Sequence, residues 1–202
     1  YDDKIWQEMV SLGWTGILVP EEFGGSNFGV AGISSILEEL GRTLTPSPLF
    51  STAVVGVSLI KYASDDVKKD ILSKVVQDGL RLCFAIEESN HHDPVKISCE
   101  AQKDGSNFII SGEKSFVIDG GFADKVIIAC RTSGEEGAKD GLSLFVLDSN
   151  SEGLTISPTK MVDSRNAANM KFENVKVSSD MLIGKEDDAY EIIESVLDIS
   201  RA

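Results

Sequence analysis

The residues of this chain best suited to chemistry stand between positions 83 and 93, in the run CFAIEESNHHD, where Glu87 and Glu88 precede His91, His92 and Asp93. Histidines and carboxylates move protons or hold metal ions, and their spacing decides which. Neighbouring side chains on an extended segment point to opposite faces, so His91 and His92 do not readily converge on one cation, and no metal ligand set is assigned. The segment reads instead as a loop facing a cofactor or solvent. Cys83, Cys99 and Cys130 stand far apart in apolar surroundings with no C-x-x-C pair. That predicts buried thiols rather than a zinc site or a disulfide scaffold, and it suits a reducing compartment. Glu38 and Glu39 read as a solvated helix face, and Gly120-Gly121 as a turn rather than a phosphate cradle, because no helix follows it.

Composition narrows the classes that could carry such residues. The 202 residues include 19 basic and 33 acidic side chains, a formal charge of -14, which repels nucleic acid rather than gripping it. The hydrophobic share of 42% and charged share of 26% fit a globular chain of two domains, with no run apolar enough to span a membrane. The chain opens on Tyr1, without a basic and apolar targeting pattern, so its natural start is expected upstream.

The elements that must position the chemistry fall into two textures. Ile5, Met9 and Leu12 recur at helical spacing within residues 2–13, and Ile33, Ile36, Leu37 and Leu40 mark a second helix stopping near Gly41. A third helix is predicted over 50–62, and a fourth from Asp65 to just before Gly79 with Val67, Ile71 and Val75 inward. After Leu80 come short β-branched and aromatic runs with Asp-Gly and Gly-Gly punctuation. Strands are predicted at 82–86, 97–103, 107–111, 115–118, 125–131, 142–148, 154–158 and 168–178. The turns at Asp104-Gly105 and Gly120-Gly121 are places where positive φ suits glycine. From Asp188 the spacing of Ile192, Val196 and Ile199 returns to helix. The fold class is therefore α+β, a helical bundle (1–80) followed by an antiparallel β-barrel or sandwich (81–184), with 185–202 opening a further helical domain.

Order and motifs together point to a family. GWTGILVPEEFGG followed by LEELGR resembles the N-terminal domain of acyl-CoA dehydrogenases, CFAIEESNHHD resembles their flavin-binding T-E-P-x-A-G-S-D segment, and GEKSFVIDGGFAD resembles their G-x-K-x-W-I-T-N-G-x-x-A-D segment. LSLFVLD, EGLTIS and KFENVKVSSDMLIGK resemble the remaining strands. The resemblance implies FAD as cofactor, α,β-desaturation of an acyl-CoA, electron transfer to an electron-transfer flavoprotein, and homo- or hetero-oligomers in the cytoplasm or, in a eukaryote, the mitochondrial matrix. It places Cys83, Ala85, Ile86, His92, Phe116 and Ile118 at cofactor positions, with His92 also a substrate neighbour. The catalytic carboxylate is expected from a C-terminal domain absent from this sequence, so no residue here is named as the base. Ile86 and Ile118 stand where the family has threonines and Phe116 where it has tryptophan. Each lost hydroxyl costs roughly 1 to 3 kcal/mol if its buried partner is left unpaired. The alternative is a flavin-poor, non-catalytic partner subunit of a heteromeric dehydrogenase.

Overall fold

A computed structural model describes residues 1–201. Helix α1 (Asp3–Ser11) is capped by Asp2, whose side chain accepts from the Lys4 N–H, and it buries Trp6 and Met9. Two short 3-10 turns carry the chain through Trp14–Gly16 and Glu21–Phe23. Here Gly25 is required by close approach: a Cβ there would lie 2.1 Å from the Val19 carbonyl oxygen. Helix α2 (Val30–Thr43) runs past Gly41, its expected stop, and ends where Leu44 turns left-handed at φ 50°. Glu38 and Glu39 are exposed.

The third helical segment is not one regular helix. It begins as a π-helix over Phe50–Gly56 and continues as α3 (Val57–Ile60), with residues 51–60 all buried. A helix buried all round belongs in a core, and π-turns are uncommon and concentrate at functional sites. Helix α4 (Asp65–Gln77) starts on Ser64, whose hydroxyl accepts from the Val67 N–H, and turns Val67, Ile71, Leu72 and Val75 inward.

Eight strands follow: β1 (Leu82–Ala85), β2 (Glu100–Asp104), β3 (Asn107–Ile118), β4 (Lys125–Arg131), β5 (Leu142–Asp148), β6 (Leu154–Lys160), β7 (Asn166–Ser178) and β8 (Leu182–Ile183). They form one sheet in the order β6-β7-β3-β2-β4-β5-β8, with β1 also paired to β4. The α+β class holds; of the antiparallel barrel or sandwich expected, the closed barrel does not describe the sheet, and its pairing is mixed rather than wholly antiparallel. β1 and β2 both run parallel to β4, and the sheet is open between β6 and β8. Helix α5 (Tyr190–Arg201) closes the described chain.

Three local expectations also shift. The segments 107–111 and 115–118 are one strand, β3, interrupted by register shifts against β7 at Ile110/Gly112 and Lys114/Val117. The strand expected from 97 begins only at Glu100, because the N–H groups of Ser98 and Cys99 donate to the Glu88 carboxylate instead of a neighbouring strand. At the 119–121 turn the positive φ falls on Asp119 (φ 60°) rather than on a glycine. Gly120 and Gly121 serve close packing: a Cβ would meet Met170 at 2.7 Å and Pro158 at 3.0 Å, respectively.

Both faces of the sheet are covered. Leu82, Ile127, Ala129, Leu144 and Val146 join the core made by the helices, whereas Cys83, Ala85, Val126, Ile128, Cys130 and Phe145 form a second core on the other face. This is why β4 and β5 are continuous apolar runs rather than alternating ones.

Candidate functional site

The chain leaving β1 and the far half of β3 are tied together. Ser115 N–H donates to the Glu87 carbonyl at 2.7 Å, and the Lys114 ammonium donates to the Ile86 carbonyl at 3.1 Å. The side chain of Lys114 is fully buried and pairs with Glu88 at 2.6 Å. Glu88 in turn accepts from both N–H and hydroxyl of Ser98 and from the Cys99 N–H. Burial alone would push the Glu88 carboxyl up, but the Lys114 ammonium and the Ser98 hydrogen bonds outweigh it and hold it below its ordinary value. The sequence pattern singled out the Lys114 position, and the geometry supplies its partner.

Between these segments and the helices lies a cavity of about 710 Å³. Its apolar wall includes Phe50, Val55, Phe84, Ile86, Val117 and Ile118, and Leu197 comes from α5. Ser51, Ser89, Asn90, His92, Ser115, Asn169 and Ser200 bring polar groups to it. Regular alternation would send Ser115 and Val117 away from the face used by Phe116 and Ile118, yet all four line the cavity. The bulge is the cause: Phe116 takes φ 51°, a strained value for an aromatic residue, and its N–H is held by the Asn169 side-chain oxygen at 3.0 Å. Phe116 remains 52% exposed.

Of the six residues placed at cofactor positions, Ile86, His92, Phe116 and Ile118 come together in this cavity. Cys83 and Ala85 do not line it; their side chains are fully buried in the second core, which leaves only their backbone to face a ligand. The Cys83 thiol is pushed up, chiefly by burial. His92 Nδ1 hydrogen-bonds the Glu87 carboxylate, and Arg201 Nη2 donates to His92 Nε2 at 3.0 Å. Those two contacts assign the proton of a neutral ring to Nδ1. Among the described residues, no group of three or more His, Cys, Asp or Glu side chains is arranged to hold a metal ion, and no helix is long and apolar enough to cross a membrane.

Sequence reasoning missed a second cluster, which meets the cavity through Ser51. Asp119 is 1% exposed, and its carboxylate accepts from the Tyr1 hydroxyl, the Ser51 hydroxyl and Arg165 Nη2. Burial and the Asp119 contact push the Tyr1 phenol up. Arg165 is also raised: burial would lower it, but the charge of Asp119 prevails. The three donors come from segments far apart in sequence, so no local spacing announced them.

Comparison with known proteins now decides the family. The description "Acyl-CoA dehydrogenase, N-terminal domain" matches residues 1–78, and "Acyl-CoA dehydrogenase, middle domain" matches residues 83–175. The chain belongs to the acyl-CoA dehydrogenase family. It is 31% identical over 197 residues to acyl-CoA dehydrogenase FadE12 of Mycobacterium tuberculosis, covering 94% of this chain and 50% of that protein. It is similar in fold to butyryl-CoA dehydrogenase from Megasphaera elsdenii, with a TM-score of 0.89, 24% identity, and coverage of 100% of this chain and 55% of that one. A glutaryl-coenzyme A dehydrogenase in complex with glutaryl-CoA superposes with a TM-score of 0.89 at 25% identity, over 96% of this chain and 51% of that one. The chain thus spans about half the length of the curated acyl-CoA dehydrogenases it matches.

Proposed function

We propose that this chain forms the flavin and acyl wall of an FAD-dependent acyl-CoA dehydrogenase, which desaturates an acyl-CoA thioester between its α and β carbons. The observation that carries the reading is the cavity itself, in which segments 84–92 and 115–118 meet as one wall facing the π-helix and α5. The fit to a flavin ring rests on chemistry. A broad apolar surface with the half-exposed Phe116 suits a flat aromatic face, and Ser89, Ser115 and Asn169 supply polar groups for its edge. FAD bound there supplies the acceptor for the β-hydride.

The remaining work belongs to this chain's own groups. Ile86, Val117 and Ile118 exclude water, and a dry cavity strengthens every electrostatic contact made within it. The Glu88–Lys114 pair holds the loop after β1 against β3, so the wall does not have to reorganise when a ligand arrives. His92, fixed by Glu87 and Arg201, stands beside the substrate at the cavity surface. The units proposed from the sequence, 1–80, 81–184 and 185–202, are retained, with electrons passing to an electron-transfer flavoprotein from an oligomer.

A second reading draws on Ile86 and Ile118, which carry no side-chain donor into the cavity: a subunit that shapes the complex while a partner holds the flavin. Purifying the full-length protein with any co-expressed partner and recording its visible spectrum separates the two. Stoichiometric flavin bands that bleach with acyl-CoA are expected. A colourless chain within an active complex would overturn the first reading and favour the second.

A further inference from the structure

Ser51 lies in the first turn of the π-helix, contributes to the cavity wall, and is held from behind. A serine hydroxyl has one proton to donate and two lone pairs to offer. Two groups lie within reach of the Ser51 proton, the Asp119 carboxylate and the Pro48 carbonyl oxygen at 3.2 Å, and both only accept. Whichever takes the proton, it is committed to the protein.

Asp119 has little freedom to release it. The backbone of Asp119 is fixed at φ 60°, its N–H donates to the Asn166 carbonyl at 3.0 Å, and its carbonyl accepts from the Phe122 N–H at 3.1 Å. Arg165, 3.1 Å away, compensates its charge, and Tyr1 donates to its second oxygen. The cavity that Ser51 helps line also carries the apolar side chains of Phe50, Val55, Val117 and Ile118.

We propose that Ser51 is a specificity residue: it presents only acceptor lone pairs to the cavity, and so favours an acyl thioester whose chain carries a hydroxyl or N–H donor. The inference rests on the acyl-thioester reading above. A plain alkyl chain leaves Ser51 already satisfied by its own donation and costs little. An ether oxygen at the same place faces lone pair against lone pair. The expected order of binding is therefore hydroxyl first, methyl second, methoxy last.

The test is titration calorimetry on the full-length protein with any partner that co-purifies, using octanoyl-CoA analogues that carry –OH, –CH₃ or –OCH₃ at successive chain carbons. At one carbon the hydroxyl analogue should bind about threefold to tenfold more tightly than the methyl analogue, the range expected for one net hydrogen bond. Ser51→Ala should flatten that preference. Asp119→Asn should keep it, because the amide oxygen still accepts from Ser51 and Arg165 while the amide nitrogen donates to Tyr1. A flat series in the natural protein overturns the inference, as does a preference that survives Ser51→Ala or vanishes in Asp119→Asn. Failure of every thioester to bind, plain octanoyl-CoA included, defeats the acyl-CoA reading itself, whereas tight binding without preference defeats only this one.

Discussion

Replacing Lys114 with methionine removes the cation from a pair in which the lysine side chain is fully buried and that of Glu88 is 11% exposed. Methionine fills nearly the same volume, so the loss is electrostatic rather than a cavity. Breaking a buried pair from one side costs about 3 to 5 kcal/mol, because the surviving charge stays behind without compensation. Glu88 keeps its bonds from Ser98 and Cys99, which places the expected loss near the lower end, about 3 kcal/mol. For a chain of this length that corresponds to a fall in Tm of about 6 to 12 °C.

The sign of the pH dependence follows from Glu88, whose folded value is depressed. Such a group stabilises the fold above its unfolded value of about 4.3, and the contribution is lost as pH falls through the folded value. Urea denaturation should show the full gap between the natural protein and Lys114→Met at neutral pH, narrowing below about pH 4. Adding Glu88→Gln to Lys114→Met should recover more than half of the loss, since no buried charge then remains. A gap under about 1 kcal/mol at neutral pH, or one indifferent to acid, would refute the reasoning.

Two further changes probe other parts of the molecule. Arg131 donates to the carbonyl oxygens of Val95, Ile97, Ser133, Ala138 and Asp140, and Arg131→Lys cannot reproduce that planar fan. A loss of roughly 2 to 4 kcal/mol in urea denaturation is expected, with early proteolysis in the 133–141 loop. Ile118→Thr puts a hydroxyl on the cavity wall, and flavin fluorescence should report affinity raised about threefold to tenfold; an unchanged affinity would place the ring edge elsewhere.

What could be read in the sequence was whatever repeats at short range. Helical spacing found α1, α2, α4 and α5, although α1 buries Trp6 with Met9 and leaves Ile5 and Leu12 exposed, and β-branched runs found β4 and β5, which are buried along nearly their whole length. The cavity wall was legible through resemblance at Ile86, Phe116 and Ile118. Alternation failed at the bulge, where Phe116 takes a left-handed turn that no local pattern encodes. The Asp119 cluster was silent for a different reason: its partners Tyr1, Ser51 and Arg165 are brought together only by the tertiary fold. The parallel pairing of β1 with β4 was likewise invisible, since β1 is only four residues long and its partner strand begins at Lys125, far along the chain.

Thr52 and Leu82 exchange hydrogen bonds across the seam between helices and sheet, the hydroxyl accepting from the Leu82 N–H at 3.1 Å and donating to its carbonyl at 3.4 Å. Gly56 leaves room for the same leucine, since a Cβ there would come within 2.6 Å of it. Recombining halves from different relatives would therefore have to carry residues 52, 56 and 82 as one inherited block. A hybrid that mixed them would misplace the strand whose end opens into the binding chamber, although every ligand-facing side chain had been preserved.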